Sequence, residues 1–556
     1  MRGRILAALA LLAAGTAVPA AVAQDGELHE NVPDECAWPM YGHDPGHSFA
    51  TPEDCSALTK TNAPALQVKW VFPTPDSISA SPAVVDGVVY VGSWDGTFYA
   101  LPADPPAGQA IEPLWTFTVT DTNDVGFGRI VSSAAVADIA GRRVVVFGGG
   151  STLYVLDAAT GTEVTSLCLD PRAETDPPTR CIESDADIEI ESSPAVLPGV
   201  GLGAARIVVG TDVHNARNVG RTGVVALDVA VADDGGWSLV PAWKFDPEAR
   251  ETYRPGTHGD ILTVGSGTGL GCSSVWSSPA VDVTGDLVFF GTGSCRTTGV
   301  GEESVYAVGL DDGGLVWSHA APRPDGRRYD DDFGASSNLL PGGLIGIGGK
   351  DGWYYRFRRS PGPGEPALVG STHAGQAGHA SQGFAIGGMI GSAATGEVAG
   401  EPAVFATTAI GTPVGEPYDT PEFGPDATLA DDPGRMLSLH AISAVDGRVL
   451  WRAPLARPSY GSASYVNGVV LFASTFDFSA KAFDADTGLL LWESPLPGPP
   501  SSTPVALGDS VYIGVGTRTT DAEYKLTDGN TISPLSPLSG VVAFRLVTSS
   551  AGLPDS

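Results

Sequence analysis

Eight times along the chain a Ser or Thr, followed at once by Pro, Ala or Ser, opens a short apolar run. These openers are Ser81-Pro82, Ser133-Ala134, Ser193-Pro194, Ser278-Pro279, Ser336-Ser337, Ser392-Ala393, Ser462-Ala463 and Thr503-Pro504. The clearest copy of the unit that an opener begins is Ser79 to Leu101. Val84 and Val85, then Val88 to Val91, are β-branched and aromatic runs that each end near an Asp-Gly pair. Asp86-Gly87 and Asp95-Gly96 both suit a tight two-residue hairpin, so the strands succeed one another as a meander. One such meander leaves apolar surface uncovered and needs neighbours of its own kind. A second mark closes the unit, a Gly-containing turn and an outer strand bearing a Trp, as at Trp70, Trp115, Trp243, Trp317, Trp451 and Trp492. A ring of that size fits between adjacent sheets, where it buries on the order of 200 Å². The expected fold is therefore all-β, a single eight-bladed β-propeller of four-stranded blades. Opener spacing runs from 41 to 85 residues, which assigns the surplus length to loops.

The repeats set the domain limits at 67–548, with an arm at 24–66 that closes or covers the ring and a tail at 549–556. Residues 1–23 read as a cleavable secretory signal, with Arg2 and Arg4 before the apolar run Ile5 to Ala14 and small residues up to Ala23. No stretch is long enough to span a membrane. Export makes the six cysteines disulfide candidates, and proximity favours Cys36 with Cys55, Cys168 with Cys181 and Cys272 with Cys295. Without the signal, 29 basic residues face 64 acidic ones, a net charge of −35. Such a surface disfavours nucleic acid and anionic lipid and keeps the chain soluble.

Chemistry is not announced by motif. There is no Gly-x-Ser-x-Gly, His-Glu-x-x-His or Walker lysine loop. In the arm, His43, Asp44 and His47 lack a further ligand and read as surface loop residues, as do His214, His258, His373 and His379. The Gly-rich stretch Pro247 to Gly271 is long for a connection and reads as an ordered cover over a site. Taken alone, Trp276 reads as core, Asp330 to Asp332 as a solvated loop and Lys350 as a surface lysine.

Together they mean more. The repeats, the arm segment Trp38 to Asp44, the run Cys272 to Asp282 and the pair of segments around Asp332 and Lys350 resemble the pyrroloquinoline-quinone (PQQ) repeat of quinoprotein alcohol dehydrogenases, within the polyvinyl-alcohol-dehydrogenase-like branch. That resemblance implies an exported enzyme that oxidises a small or polymeric alcohol by hydride transfer to bound PQQ and passes electrons to a separate carrier such as a cytochrome. It implies Trp276 as the platform for the flat quinone, Asp332 (or Asp330, two residues earlier) as the acceptor of the hydroxyl proton, and Lys350 as the cation beside the quinone carbonyl. It places calcium (Ca2+) ligands at Asp332, Ser294 and Asp212. Propellers of this kind also serve as non-catalytic scaffolds that bind protein or polymer, and the repeat alone does not separate the two.

Overall fold

Short β-branched runs cut by positive-φ turns can pair only with their chain neighbours, and they do so here in successive antiparallel meanders. The computed structural model describes residues 36–106, 108–120, 128–169, 181, 188–212, 222–264, 274–293, 303–320, 332–374, 388–407, 412–413, 438–455, 459–475, 477–516, 524–525 and 538–547. Among the described residues eight sheets of four or five strands succeed one another in order, blade one running from Ala83–Val85 inside to Trp115–Thr118 outside, and a ninth, two-stranded sheet pairs Thr412–Pro413 with Tyr524–Lys525. Blade three departs from the expected four strands. Its fifth, Glu251–Tyr253, pairs with Trp237–Asp246 and lies in the Gly-rich stretch read as a cover. Asp86 and Gly87 take φ of 48° and 73° and form the expected two-residue hairpin. Asp95-Gly96 does not: Val88–Gly92 and Thr97–Pro102 are joined by four residues, and only Gly96 has positive φ.

The opener serine is the joint between blades. The amide of Ser81 donates to Ser133 Oγ at 2.9 Å, Ser133 to Ser193 Oγ at 3.0 Å and Ser193 to Ser278 Oγ at 2.9 Å. Ser278 continues to Ser336, Ser336 to Ser392 and Ser392 to Ser462. Thr503 donates back to Ser81. Thr503 Oγ1 is buried without a hydrogen-bond partner among the described residues, so the ring is made of seven links. Where a second serine precedes the opener it faces its own sheet: Ser132 Oγ accepts from Gly148 N, Ser192 Oγ from Gly210 N and Ser502 Oγ from Gly514 N. A Ser-Ser pair thus serves both directions, one hydroxyl along the ring and one into the blade.

At the outer edge, indoles repeat the linkage. Trp115 Nε1 donates to the Ala158 carbonyl of the following blade, Trp243 to Leu310, Trp317 to Arg359 and Trp451 to Ala485. Trp492 and Trp70 span the closure, to Leu66 and Ala103. The strand Leu66–Thr74 is the outer strand of blade eight, paired with Ser539–Leu546. The first strand and the last thus share one sheet.

The arm fills the axis. Pro39 accepts from Val136, Pro45 from Val281, Gly46 from Leu339, Ser48 from Thr395 and Phe49 from Tyr465, while Trp38 pairs with Val84 and Thr51 Oγ1 donates to Ala506. Each partner lies three residues beyond its opener, about 10 Å further down the inner strand. The arm therefore plugs the hollow beneath the serine ring. His47 is buried, its Nδ1 3.2 Å from the Ser337 carbonyl, and burial lowers its pKa to about 4. This corrects the surface-loop reading of His47: the ring supplies an interior that a non-repetitive segment cannot show by itself. His373 ends the strand Leu368–His373 and packs on Trp353, and His258 accepts from the Arg254 amide, so neither is a partnerless loop residue. His214 and His379 lie outside the described residues.

Cys36–Cys55 and Cys168–Cys181 are disulfides as expected, whereas Cys272 and Cys295 lie outside the described residues, as do 1–35 and 548–556. Among the described residues no helix is long and apolar enough to cross a membrane.

Candidate active site

The backbone register around each opener decides which side chains see the axis. The residue immediately before it faces its own sheet, so the residues two and four before it face the other way, above the serine ring. In blade four the residue two before the opener is Trp276, in blade three Glu191 and in blade five Gly334. Four before are Ser274, Glu189 and Asp332. Three adjacent blades thus place an indole, a hydroxyl and three carboxylates on one arc.

Trp276 reaches toward blade five and lies over bare backbone. A Cβ on Gly334 would sit 1.7 Å from Trp276 Cη2, and one on Gly293 would sit 2.7 Å from its Nε1 and 2.8 Å from Asp332 Cγ. Only glycine at both places leaves the ring where it is. Lys350, in the turn between Leu344–Gly348 and Trp353–Arg358, holds Nζ 5.2 Å from the centroid of that ring, close enough for cation–π attraction. The same Nζ donates to Asp332 Oδ2 at 2.6 Å, and the Lys350 amide donates to the Asp332 carbonyl at 2.9 Å. Asp332 is 4% exposed and Lys350 9%, so this is a buried, charge-assisted pair rather than a solvated loop acid and a surface amine.

The turn is held from below. Asp351 accepts from the Trp353 amide at 3.0 Å and from the Tyr355 hydroxyl, and burial still pushes its carboxyl up to about 6. Met389 N donates to the Gly349 carbonyl from blade six.

Beside the pair lies an acidic cluster. Glu189 and Asp212 face each other across two backbone hydrogen bonds, and carboxylate oxygens of Glu189, Glu191 and Asp212 lie within 4.8 Å of one another. Ser274 Oγ donates to Asp212. Burial, then the neighbouring acids, push the Glu189 and Glu191 carboxyls well above the usual carboxylate range, and Lys350 partly offsets this at Glu191.

Of the residues singled out in the sequence, Trp276, Asp332, Lys350 and Asp212 converge here. Asp332 engages Lys350, while Asp212 sits in the acidic cluster. Asp330 and Ser294 lie outside the described residues. Glu189 and Glu191 escaped sequence reading, though counting back four and two residues from Ser193 picks them out.

An eight-bladed ring with an acid–amine pair over an indole, flanked by an all-oxygen acidic cluster, defines a propeller built around a polar axial cup. Residues 38–338 match the family described as glucose/ethanol/alcohol dehydrogenase, β-propeller domain, and the chain belongs to that PQQ-repeat family. Residues 435–554 match the description outer membrane protein assembly factor BamB. Among solved structures the chain is similar to a europium-containing methanol dehydrogenase, at 17% identity over 92% of this chain and 98% of that one, TM-score 0.64. It is also similar to quinohemoprotein alcohol dehydrogenases from Comamonas testosteroni (18% identity, 95% and 83% covered, TM-score 0.61) and Pseudomonas putida HK5 (17%, 94% and 82%, TM-score 0.60). At these identities the likeness is one of fold. No curated protein matches the chain.

Proposed function

We propose that the protein oxidises an alcohol with PQQ as cofactor and a hard cation beside it. The observation that carries this reading is the position of Lys350 Nζ, 2.6 Å from the Asp332 carboxylate and 5.2 Å above the Trp276 ring. Family membership supports it. The finer expectations, export, a polymeric alcohol and the polyvinyl-alcohol branch, belong to the same proposal, and the two disulfides accord with an oxidising compartment.

The residues present suit both groups. Trp276 offers a flat ring seated against the backbone at Gly293 and Gly334, and Lys350 a fixed cation, which together would hold a planar quinone. Glu189, Glu191 and Asp212 offer only oxygen donors, the set that hard cations such as calcium or a trivalent lanthanide prefer. Burial holds Glu189 and Glu191 toward their neutral forms, and a bound cation would take the place of those protons. When bound, the quinone supplies the two-electron acceptor. The chain's own residues do the rest. Asp332 accepts the hydroxyl proton at a carboxylate oxygen, Lys350 pairs with that carboxylate and orients it, and the arm below the serine ring closes the cup to water from beneath.

The test is direct. Purified protein mixed with PQQ and Ca2+, or with PQQ and a lanthanide, should gain quinone absorbance, quench tryptophan fluorescence and reduce an acceptor dye when given alcohols. No binding at micromolar cofactor with either cation defeats the reading. The match over residues 435–554 favours one alternative, a scaffold that binds protein or polymer through its loops. Quinone-independent capture of such a partner would support it.

A further inference from the structure

The charged arc occupies only one side of the cup. The axial positions two residues before the openers of blades six and seven are Ile390 and Tyr460, each partly exposed. The direction of Tyr460 is set by its neighbours. Ser459 Oγ donates to the Ala473 carbonyl at 3.1 Å, and a Cβ on Gly461 would lie 2.2 Å from that same oxygen, so both flanking residues face the sheet and Tyr460 faces the hollow. Blade seven stands four blades from blade three, across the ring from Glu191. Ile390 stands closer to the reacting pair, one residue after Met389, whose amide bonds the carbonyl preceding Lys350. In blades eight and one the same position is filled by the small Ser501 and Ser79. At this position blade six, beside the charged arc, therefore presents an alkyl group, and blade seven, across from blade three, a phenol.

We infer that Ile390 and Tyr460 form the specificity wall for the substrate's carbon substituent. An alcohol whose hydroxyl meets Asp332 has its alkyl group directed along blades six and seven, where an aliphatic chain of several carbons gains contact that methanol or ethanol does not. The substrate class is thus an alcohol bearing an extended apolar chain. This rests on the alcohol-oxidising reading above and assigns the residues that select within it.

The experiment compares kcat/KM for 1-hexanol and ethanol on protein loaded with PQQ and cation. Wild type should favour hexanol, and in Ile390→Ser and Tyr460→Ala the hexanol-to-ethanol ratio should fall by about ten-fold, chiefly through KM for hexanol. Tyr460→Phe should keep the wild-type ratio. An unchanged ratio in both variants, or an equal loss for the two alcohols, overturns the inference. Saturation-transfer NMR of 1-hexanol with cofactor-free protein gives a readout that turnover does not enter. Transfer to the alkyl protons should be present in wild type and lost in Tyr460→Ala, and absence in wild type overturns the wall even where quinone binds. Intact transfer without quinone binding would defeat the dehydrogenase reading alone.

Discussion

The backbone amide of Thr503 donates to the hydroxyl of Ser81 at 3.0 Å, joining residues that stand 422 positions apart. Six further links of this kind join successive blades from one to seven, so this one shows that the last blade meets the first through the same bond, while blades seven and eight meet without it among the described residues.

Removing one link should therefore loosen one joint. Ser193→Ala leaves the buried Ser133 amide without its acceptor, a loss of about 1–3 kcal/mol. Urea unfolding should show a lowered midpoint with the slope unchanged. A midpoint equal to wild type would mean that the hydroxyl ring contributes no stability.

Lys350→Met should abolish alcohol turnover and also destabilise the protein, by about 3–5 kcal/mol, because Asp332 is left buried beside a lost cation. Adding Asp332→Asn to that variant should recover much of the stability and none of the activity. Thermal unfolding read beside dye reduction separates the two effects, and turnover retained in Lys350→Met would remove the amine from the mechanism.

Gly334→Ala places a methyl group 1.7 Å from Trp276 Cη2, so the indole must swing off the blade-five backbone. The expected outcome is a folded protein with unchanged far-ultraviolet circular dichroism, altered tryptophan fluorescence and PQQ affinity reduced at least about ten-fold. Unchanged affinity would show that the ring's position is not what the cofactor reads.

Acid should unseat the arm. His47 is held neutral in the fold with a pKa near 4 against an ordinary 6.5, so the unfolded chain binds the proton more readily. Its contribution is complete above pH 6.5 and is lost as pH falls toward 4, by about 3 kcal/mol in all. His47→Asn, which tolerates the left-handed backbone at φ 57°, should show a shallower loss of stability between pH 6.5 and 4. Parallel curves for the two proteins would contradict the assignment.

The ring was legible in the sequence because opener, turn and outer Trp repeat, and repetition survives irregular loop length. Trp276, Asp332 and Lys350 were reachable only through resemblance, since a lone Trp beside a strand and an acid in a loop look alike whether or not they meet across blades. Glu189 and Glu191 were missed although they stand in plain sight before Ser193. Their meaning depends on register relative to the axis, and only the alternation of side chains about each opener makes that register visible. The burial of His47 was hidden for a different reason: its interior is built by blades far along the chain.

The arm also dictates an order of events. Residues 38–51 emerge from synthesis before any strand they bond, and Leu66–Thr74 must wait for Ser539–Leu546, the final strand of the ring. Native contacts of such long range carry a high loop-closure cost, so folding should be slow, with the leading segment exposed until the trailing one arrives. A chain built in this way completes its tertiary structure only once its last strand is available, and a truncation that removes that strand should undo the beginning as well as the end.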